Sequence, residues 1–382
     1  MDRRIGTYVT HAFQGESYRS YIPVSLPPAP PIDMAEIYPY LEKATLAVAA
    51  LNGIHTSINV TLFIYMYVRK EALLSSQIEG TQSSFSDLLL FEYNQKPKVS
   101  LEDVEEVSNY VKAVTYALQR LKGGFPLSLR LLREIHEVLL SGARGTFKSP
   151  GEFRKSQNWI GGTKPSNALF VPPSVEHLDQ CLSDFERFLH DDSMPVLIKA
   201  GLAHVQFETI HPFLDGNGRL GRLLIVLLLI EGGMIDEPII YISLYLKQHR
   251  TTYYDLLQEV RTHGRWEVWL EFFLKGVAES AQQALEAARA ISALFVKDAA
   301  RIVDLGRARF SSEQVFEYLK KLPQVTVSLI ASSLSMALPT ARSAINNLVK
   351  LGILEEISGK KRERVYVYRE YVKLLEQGAE PF

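Results

Sequence analysis

His211-Pro212-Phe213-Leu214-Asp215-Gly216-Asn217-Gly218-Arg219-Leu220-Gly221-Arg222 lies between two apolar runs. Gly-Asn-Gly at that place reads as a turn that opens a helix. Glycine lets backbone N–H groups come close to a ligand, and a helix N-terminus offers unpaired donors with partial positive charge, so this is an anion site. Arg219 and Arg222 are three apart and share a helix face beside it. Two guanidiniums over an N-terminal nest suit a polyphosphate. Asp215, just before the nest, is placed to hold Mg²⁺, an ion that keeps most of its waters. His211 is the side chain of this stretch that titrates near neutrality, which makes it the natural general base. Phe213 would anchor the loop in the core. Taken singly, a His-Pro pair is also a helix cap and a DGNG stretch also a plain turn. The twelve residues together favour a binding site.

Working outward, apolar residues recur at helical spacing. Met34 to Leu51 is one helix, stopped by Asn52-Gly53, and a second runs from about Ile58 to Ile78 and ends at Gly80. Residues 101–122 repeat the pattern up to Gly123-Gly124, and Pro126 to Gly142 is amphipathic. Residues 151–173 break the period with Gly161-Gly162, Pro165, Asn167 and Pro172-Pro173, which is loop or hairpin chemistry. Helices resume at Ser174–His190, Met194–Ile210 and Gly218–Glu231. Residues 236–275 read as further helices, closing on the aromatic run Trp266, Trp269, Phe272, Phe273, and an alanine-rich helix over 276–305 would connect two domains. Residues 1–32 end in the proline cluster Pro23–Pro31 and read as extended and irregular, draped over the surface.

Composition bounds the rest. A chain of 382 residues suggests two or three domains, and 47% hydrophobic with 22% charged residues is that of a packed protein. A formal net charge of −1 gives no global pull toward nucleic acid, so any such affinity must be local. The one cysteine, Cys181, can form neither an internal disulfide nor a cysteine-rich zinc site. The first residues lack a signal-peptide core, and the most apolar run, Leu223–Ile230, is far shorter than the ~20 residues that span a bilayer. The expectation is a cytoplasmic protein with no membrane contact.

The segment 211–222 resembles the signature of the Fic family, HPFxDGNGRxxR, at every fixed position. That resemblance implies a mainly α, Fic-type helical bundle with a small β-hairpin flap, and transfer of AMP from ATP to a Ser, Thr or Tyr hydroxyl of a target protein. By position it makes His211 the catalytic base and Asp215 the Mg²⁺ ligand. Gly216, Asn217, Gly218 and Arg219, with Leu220 and Gly221, would contact ATP, and Arg222 would hold the γ-phosphate. Upstream, Ser75-Ser76-Gln77-Ile78-Glu79-Gly80 fits the family's inhibitory pattern [S/T]xxxE[G/N]. Alone, such residues are ordinary helix surface. Beside the first motif, they imply that Glu79, with Ser75, pairs with Arg222 and blocks the γ-phosphate, as in the subclass with an N-terminal inhibitory helix. Residues 158–172 fall where the family places its flap, which pins the target by strand addition. Tyr254 falls where relatives contact the nucleoside, as does Tyr253, although such spacing also suits core residues. His204 lacks an HExxH context and reads as a packed histidine rather than a zinc ligand. The expected regions are 1–97 (N-terminal, inhibitory), 98–275 (catalytic core), 276–308 (linker helix) and 309–382.

The last region differs in character. Residues 309–373 carry 11 Lys/Arg against 6 Asp/Glu, a net of +5. Helices at Ser312–Leu322, Val327–Leu334 and Pro339–Lys350 precede strands at Ile353–Ile357 and Val365–Arg369, joined by the basic stretch 358–364. This order, and the stretch PTARSAINNLVKLGILEEI, resemble a winged helix-turn-helix domain, which implies duplex DNA as a partner through residues 309–373, with Arg342, Ser343 and Asn346 as readers. A protein-contact role or a merely solvated basic edge stays open. So do self-modification, a homodimer, a regulator whose Fic domain senses nucleotide, and an enzyme that removes AMP.

Overall fold

The computed structural model describes residues 3, 5–13, 15–53, 60–92, 97, 99–142, 146–359 and 363–381. A two-stranded antiparallel hairpin, β1 (Thr7–Phe13) and β2 (Glu16–Ile22), is followed by α1 (Met34–Asn52), α2 (Val60–Ile78), α3 (Phe85–Glu92), α4 (Leu101–Lys122) and α5 (Leu129–Leu139). After a long loop come α6 (Val175–Leu189), α7 (Val196–Ile210), α8 (Asn217–Glu231), α9 (Ser243–Gln248), α10 (Arg250–His263) and α11 (Trp266–Val303). The last part holds α12 (Arg309–Lys321), β3 (Gln324–Thr326), α13 (Val327–Ser333), α14 (Leu338–Lys350), β4 (Glu355–Glu356), β5 (Val365–Val367) and α15 (Arg369–Glu376), its three strands forming an antiparallel sheet in the order β3-β5-β4.

The centre of the molecule is the pair α7–α8. Every residue of α7 from Leu197 to Ile210 is buried, and so is α8 from Arg219 to Leu229. A helix apolar on all sides must be covered on all sides. Here α6, α10 and α11 pack on α7, while α2, α4 and α5 pack on α8. Close packing sets sequence demands: a Cβ on Gly201 of α7 would lie 2.8 Å from Leu270 and 2.9 Å from the Phe273 ring of α11. Trp269 fills the same seam, its indole N–H donating to the Gly201 carbonyl at 2.9 Å.

Three expectations change. Residues 1–32 contain a β-hairpin: TYVTHAF and ESYRSYI pair from Thr7↔Ile22 to Phe13↔Glu16, and Gly15 turns with φ of 80°. The segment does lie over the surface, pinned by Arg3, which donates to Glu267 twice at 2.6 Å and to the carbonyls of Pro30, Pro31 and Gly264. The aromatic run at 266–273 and the alanine-rich run after 276 are one helix, α11, of 38 residues and roughly 57 Å. Gly276 does not break it but lets the Tyr245 ring approach, since a Cβ there would lie 2.5 Å from it. The hairpin at 158–172 is a loop with one bridge, Ile160↔Phe170, and a tip where Asn167 Oδ1 accepts from the amides of Thr163 and Lys164 at 3.0 Å. Among the described residues no helix is long and apolar enough to cross a membrane.

Replacing Gly201 with alanine adds helix propensity worth about 1 kcal/mol. It also forces a methyl into the α7–α11 contact, an overpacking cost of about 1–3 kcal/mol. Since the clash is with ring and branched carbons in a closed seam, the cost should win, and urea denaturation of Gly201→Ala should show a lower midpoint than the parent.

Candidate active site

The loop from His211 to Gly216 is built to hold one shape. His211 ends α7 in the left-handed region, with φ 49° and ψ 60°. A non-glycine residue there costs of order 1 kcal/mol or more and needs outside support. Two side chains supply it: Arg154 Nε and Asn158 Nδ2 donate to the His211 carbonyl at 3.0 and 3.2 Å. Asn158 also donates to the Phe213 carbonyl at 2.9 Å. From the other side, Asn217 Oδ1 accepts from the Phe213 amide and its Nδ2 donates to the Phe213 carbonyl, both at 2.9 Å. Phe213 is fully buried and stacked on His136, ring centroids 3.7 Å apart. His136 Nδ1 accepts from the Gly151 amide at 2.9 Å, which leaves Nε2 to donate to the Asp215 carbonyl at 3.0 Å.

Past this loop α8 begins, capped by Gly216 with φ of 74°. Its first turn faces the end of α2. Any side chain at position 218 would collide with the Glu79 carboxylate, so an anionic group already lies against the helix N-terminus. Arg222 Nη2 donates to Glu79 Oε1 at 2.6 Å and to the Ser75 carbonyl at 3.0 Å, while Nε donates to Ser75 Oγ at 2.9 Å. Burial works against the charge on Glu79, but the adjoining Arg222 guanidinium outweighs it and holds the carboxyl below its usual range. Arg222 is buried too, and Glu79 more than offsets that burial, so its pKa is raised. Arg219 Nη1 pairs with Glu106 of α4 at 2.8 Å, and Nη2 lies 3.6 Å from Asp215, whose side chain is half exposed. Leu220 and Gly221 lie on the inner side of α8: Leu220 is fully buried, and Gly221 leaves room for Glu208, as a Cβ there would sit 2.6 Å from Glu208 Oε1.

The His211 ring is enclosed but reachable, its side chain 19% exposed. Burial, seconded by the nearby Arg261 cation, pushes its pKa down to about 4. Its Nδ1 faces Glu208, 3.4 Å from the carbonyl and 3.9 Å from carboxylate Oε2, which leaves Nε2 as the other nitrogen. Burial pushes Glu208 the opposite way, up to about 7. Arg261 steadies this corner by donating to the Glu208 carbonyl and Thr209 Oγ1 while lying 4.0 Å over the Phe170 ring of the flap loop. The two tyrosines part company. Tyr253 is buried and its hydroxyl bonds His204 Nε2 at 2.8 Å, whereas Tyr254 is 39% exposed, its pKa pushed up to about 12 by burial and then by the charge of Glu79. His204 is a packed histidine, with Nδ1 donating to the Gly221 carbonyl at 2.9 Å.

The structure thus brings His211, Asp215, Gly216, Asn217, Gly218, Arg219, Arg222, Ser75 and Glu79 to one place, with Tyr254 at its edge. Sequence reasoning missed His136, Arg154, Glu208 and Arg261. The groups they hold at 209–215 lie 52 or more residues away or, for Glu208, on the unmarked side of the same helix end.

Three histidines here have lowered values: His136 at about 4, His204 at about 3 and His211 at about 4, each chiefly through burial. A lowered imidazole value means the neutral ring persists well below pH 6.5. Ring signals of ¹³C,¹⁵N-histidine-labelled protein should stay in the neutral form from pH 8 to pH 5 at all three positions. An imidazolium signal at His211 near pH 6.5 would contradict this site.

Two adjoining regions match known families: the profile described as Fic/DOC family N-terminal matches residues 38–119, and that described as Fic/DOC family matches residues 126–229. The chain is 33% identical over 162 residues to Protein adenylyltransferase Fic of Drosophila ananassae, which is 42% of this chain and 30% of that protein. To Protein adenylyltransferase Fic of Culex quinquefasciatus it is 35% identical over 164 residues, again 42% of this chain and 30% of the relative. It therefore matches about a third of the length of these curated relatives. The crystal structure of a Fic family protein from Desulfovibrio desulfuricans G20 shares the fold, with a TM-score of 0.58 at 17% identity over 87% of this chain and 95% of that one. Residues 38–119 and 126–229 therefore carry the two Fic/DOC family regions in order, within a fold shared with a Fic family protein.

Proposed function

We propose that this chain is a protein adenylyltransferase that moves AMP from ATP to a side-chain hydroxyl of a target protein, and that Glu79 restrains it. The observation that carries the reading is the buried Arg222 in the first turns of α8, held by the Glu79 carboxylate 2.6 Å away. A buried guanidinium needs an anion, and the backbone of the first turn of α8 offers partial positive charge beside it. A triphosphate meets both needs. Its γ-phosphate would take the place of Glu79 on Arg222, and Arg219 would exchange Glu106 for phosphate. Tyr254, half exposed and within the field of Arg222, suits the nucleoside end.

In this reading the target oxygen attacks the α-phosphorus, the bond from that phosphorus to the α–β bridging oxygen breaks, and pyrophosphate leaves. The hydroxyl proton goes to His211 Nε2. Burial keeps His211 uncharged and ready to accept it, and Glu208 on the Nδ1 side favours the imidazolium once formed. A Mg²⁺ ion fits Asp215: this half-exposed carboxylate is one hard oxygen ligand, as expected for an ion otherwise held by phosphates and water. It would neutralise charge on the phosphates. Positioning and electrostatics account for most of the catalysis in such transfers. The flap loop at 158–172, with Trp159 and Leu169 exposed, would hold the target segment.

The test is incubation with α-labelled ATP and Mg²⁺, alone and with a cell extract. Glu79→Gly should raise protein labelling at least tenfold. Adding His211→Ala should lower it by about 10²–10⁴-fold, the usual worth of a general base. No label in any variant would reject the reading.

A second reading concerns residues 309–373 and coexists with the first. Arg342, Ser343 and Asn346 are all exposed on α14, which favours duplex DNA as a partner of this basic region. Lys360, Lys361 and Arg362 of the expected wing lie outside the described residues. A gel shift with duplex DNA should weaken with added salt and with Arg342→Ala, and a salt-independent shift would count against it.

A further inference from the structure

Helix α2 is gripped on two sides. Ser75 and Glu79, four apart, face Arg222. Gln77 lies between them in sequence and, at 100° per residue, points about 200° away. Lys70, seven residues earlier, shares the face of Gln77. That second face meets residues 377–380, which follow α15. Lys70 Nζ donates to the Gln377 carbonyl at 2.7 Å, and Gln77 Nε2 donates to the Ala379 carbonyl at 3.0 Å. Lys247 of α9 ties the two together, donating to Gln77 Oε1 at 2.7 Å and to the Glu380 carbonyl. Ser86 of α3 donates to Glu376 at 2.7 Å. The contact is built rather than incidental. Gln77 is 0% exposed, Ala379 3%, Lys70 4% and Lys247 7%. Gly378 takes φ of 76° and approaches Leu244 so closely that a Cβ would lie 2.8 Å from it.

We propose that residues 377–380 form a strap that holds α2 in the position where Glu79 blocks the α8 N-terminus, so that the module ending in α15 governs the brake. The proposal rests on the reading of Glu79 given above. Its physical basis is that Glu79 cannot withdraw with α2 without breaking the bonds on the opposite face. Those bonds involve buried amide and ammonium groups, which are costly to leave unpaired. Conversely, lifting the strap strips the far face of α2 of its partners and loosens the turn that carries Glu79. The strap is continuous with α15, whose Tyr371, Val372 and Leu375 are buried against the rest of the molecule, so any displacement of that module pulls on it directly.

The test uses the full chain with Gly378→Val, which cannot keep the strap conformation, and Gln77→Leu, which removes its central bonds while preserving volume. Neither touches the residues assigned to ATP. Two readouts are taken, labelling from α-labelled ATP and hydrogen exchange of amides 70–80. Both variants should label at least fivefold more than the parent and exchange faster over 70–80, and Gly378→Val should add nothing to Glu79→Gly. Parent-level labelling in both variants while Glu79→Gly labels strongly would overturn the strap, as would unchanged exchange. Failure of Glu79→Gly itself to label would instead reject the adenylyltransferase reading, with the exchange data still deciding whether the strap restrains α2.

Discussion

The buried cation of Arg222 is the constraint around which this site is arranged. A guanidinium taken out of water costs several kcal/mol unless an anion and good acceptors meet it. Here the hydroxyl and carbonyl of Ser75 and the carboxylate of Glu79 do so. Whatever fills the N-terminus of α8 must replace that carboxylate rather than enter an empty space. In the proposed reading, binding would be an exchange of one anion for another, and its strength would depend on how firmly Glu79 is held. A small stabilisation of α2 becomes a measurable penalty on ligand, because every 1.4 kcal/mol is tenfold in affinity.

The scaffold behind Arg222 is correspondingly stiff. The left-handed His211 is over-determined by Arg154 and Asn158, and Asn217 closes the loop on Phe213 with both ends of its amide. Asn217 therefore shapes the nest from inside, and the backbone rather than its side chain faces outward. The low basicity of His211 follows from the same enclosure. Burial and the cations Arg261 and Arg154 disfavour its protonated form, while the Glu208 carbonyl bond and the Glu79 charge favour it.

Much of this was legible in the chain itself. Residues 211–222 marked the loop that opens α8, and the apolar periodicity marked α1, α4, α7 and α8 to within a few residues. The pair formed by Glu79 and Arg222 was legible only through resemblance, since 143 residues separate them. What stayed hidden depends on long-range partners. Nothing local marks His136 as the residue stacked beneath Phe213, or Arg154 as the donor to a carbonyl at 211. The β1–β2 hairpin shows no strict alternation in TYVTHAF and ESYRSYI, and the proline cluster after it set the expectation of an irregular segment. The split between Tyr253 and Tyr254 turns on the roughly 100° of helix phase between neighbours, which α10 fixes by packing Tyr253 on His204.

The continuity of α11 has a mechanical meaning. An interrupted connector would let the region after residue 309 swing on a tether, independent of the bundle. A single rod of roughly 57 Å, buried at Trp269 near one end and at Ile302 near the other, offers no such joint. Bending it would break consecutive backbone bonds, so relative motion of the two ends has to occur by peeling or sliding at the flanking surfaces. A displacement of the region after residue 309 would then have to be taken up at those packed surfaces and not at a hinge within α11.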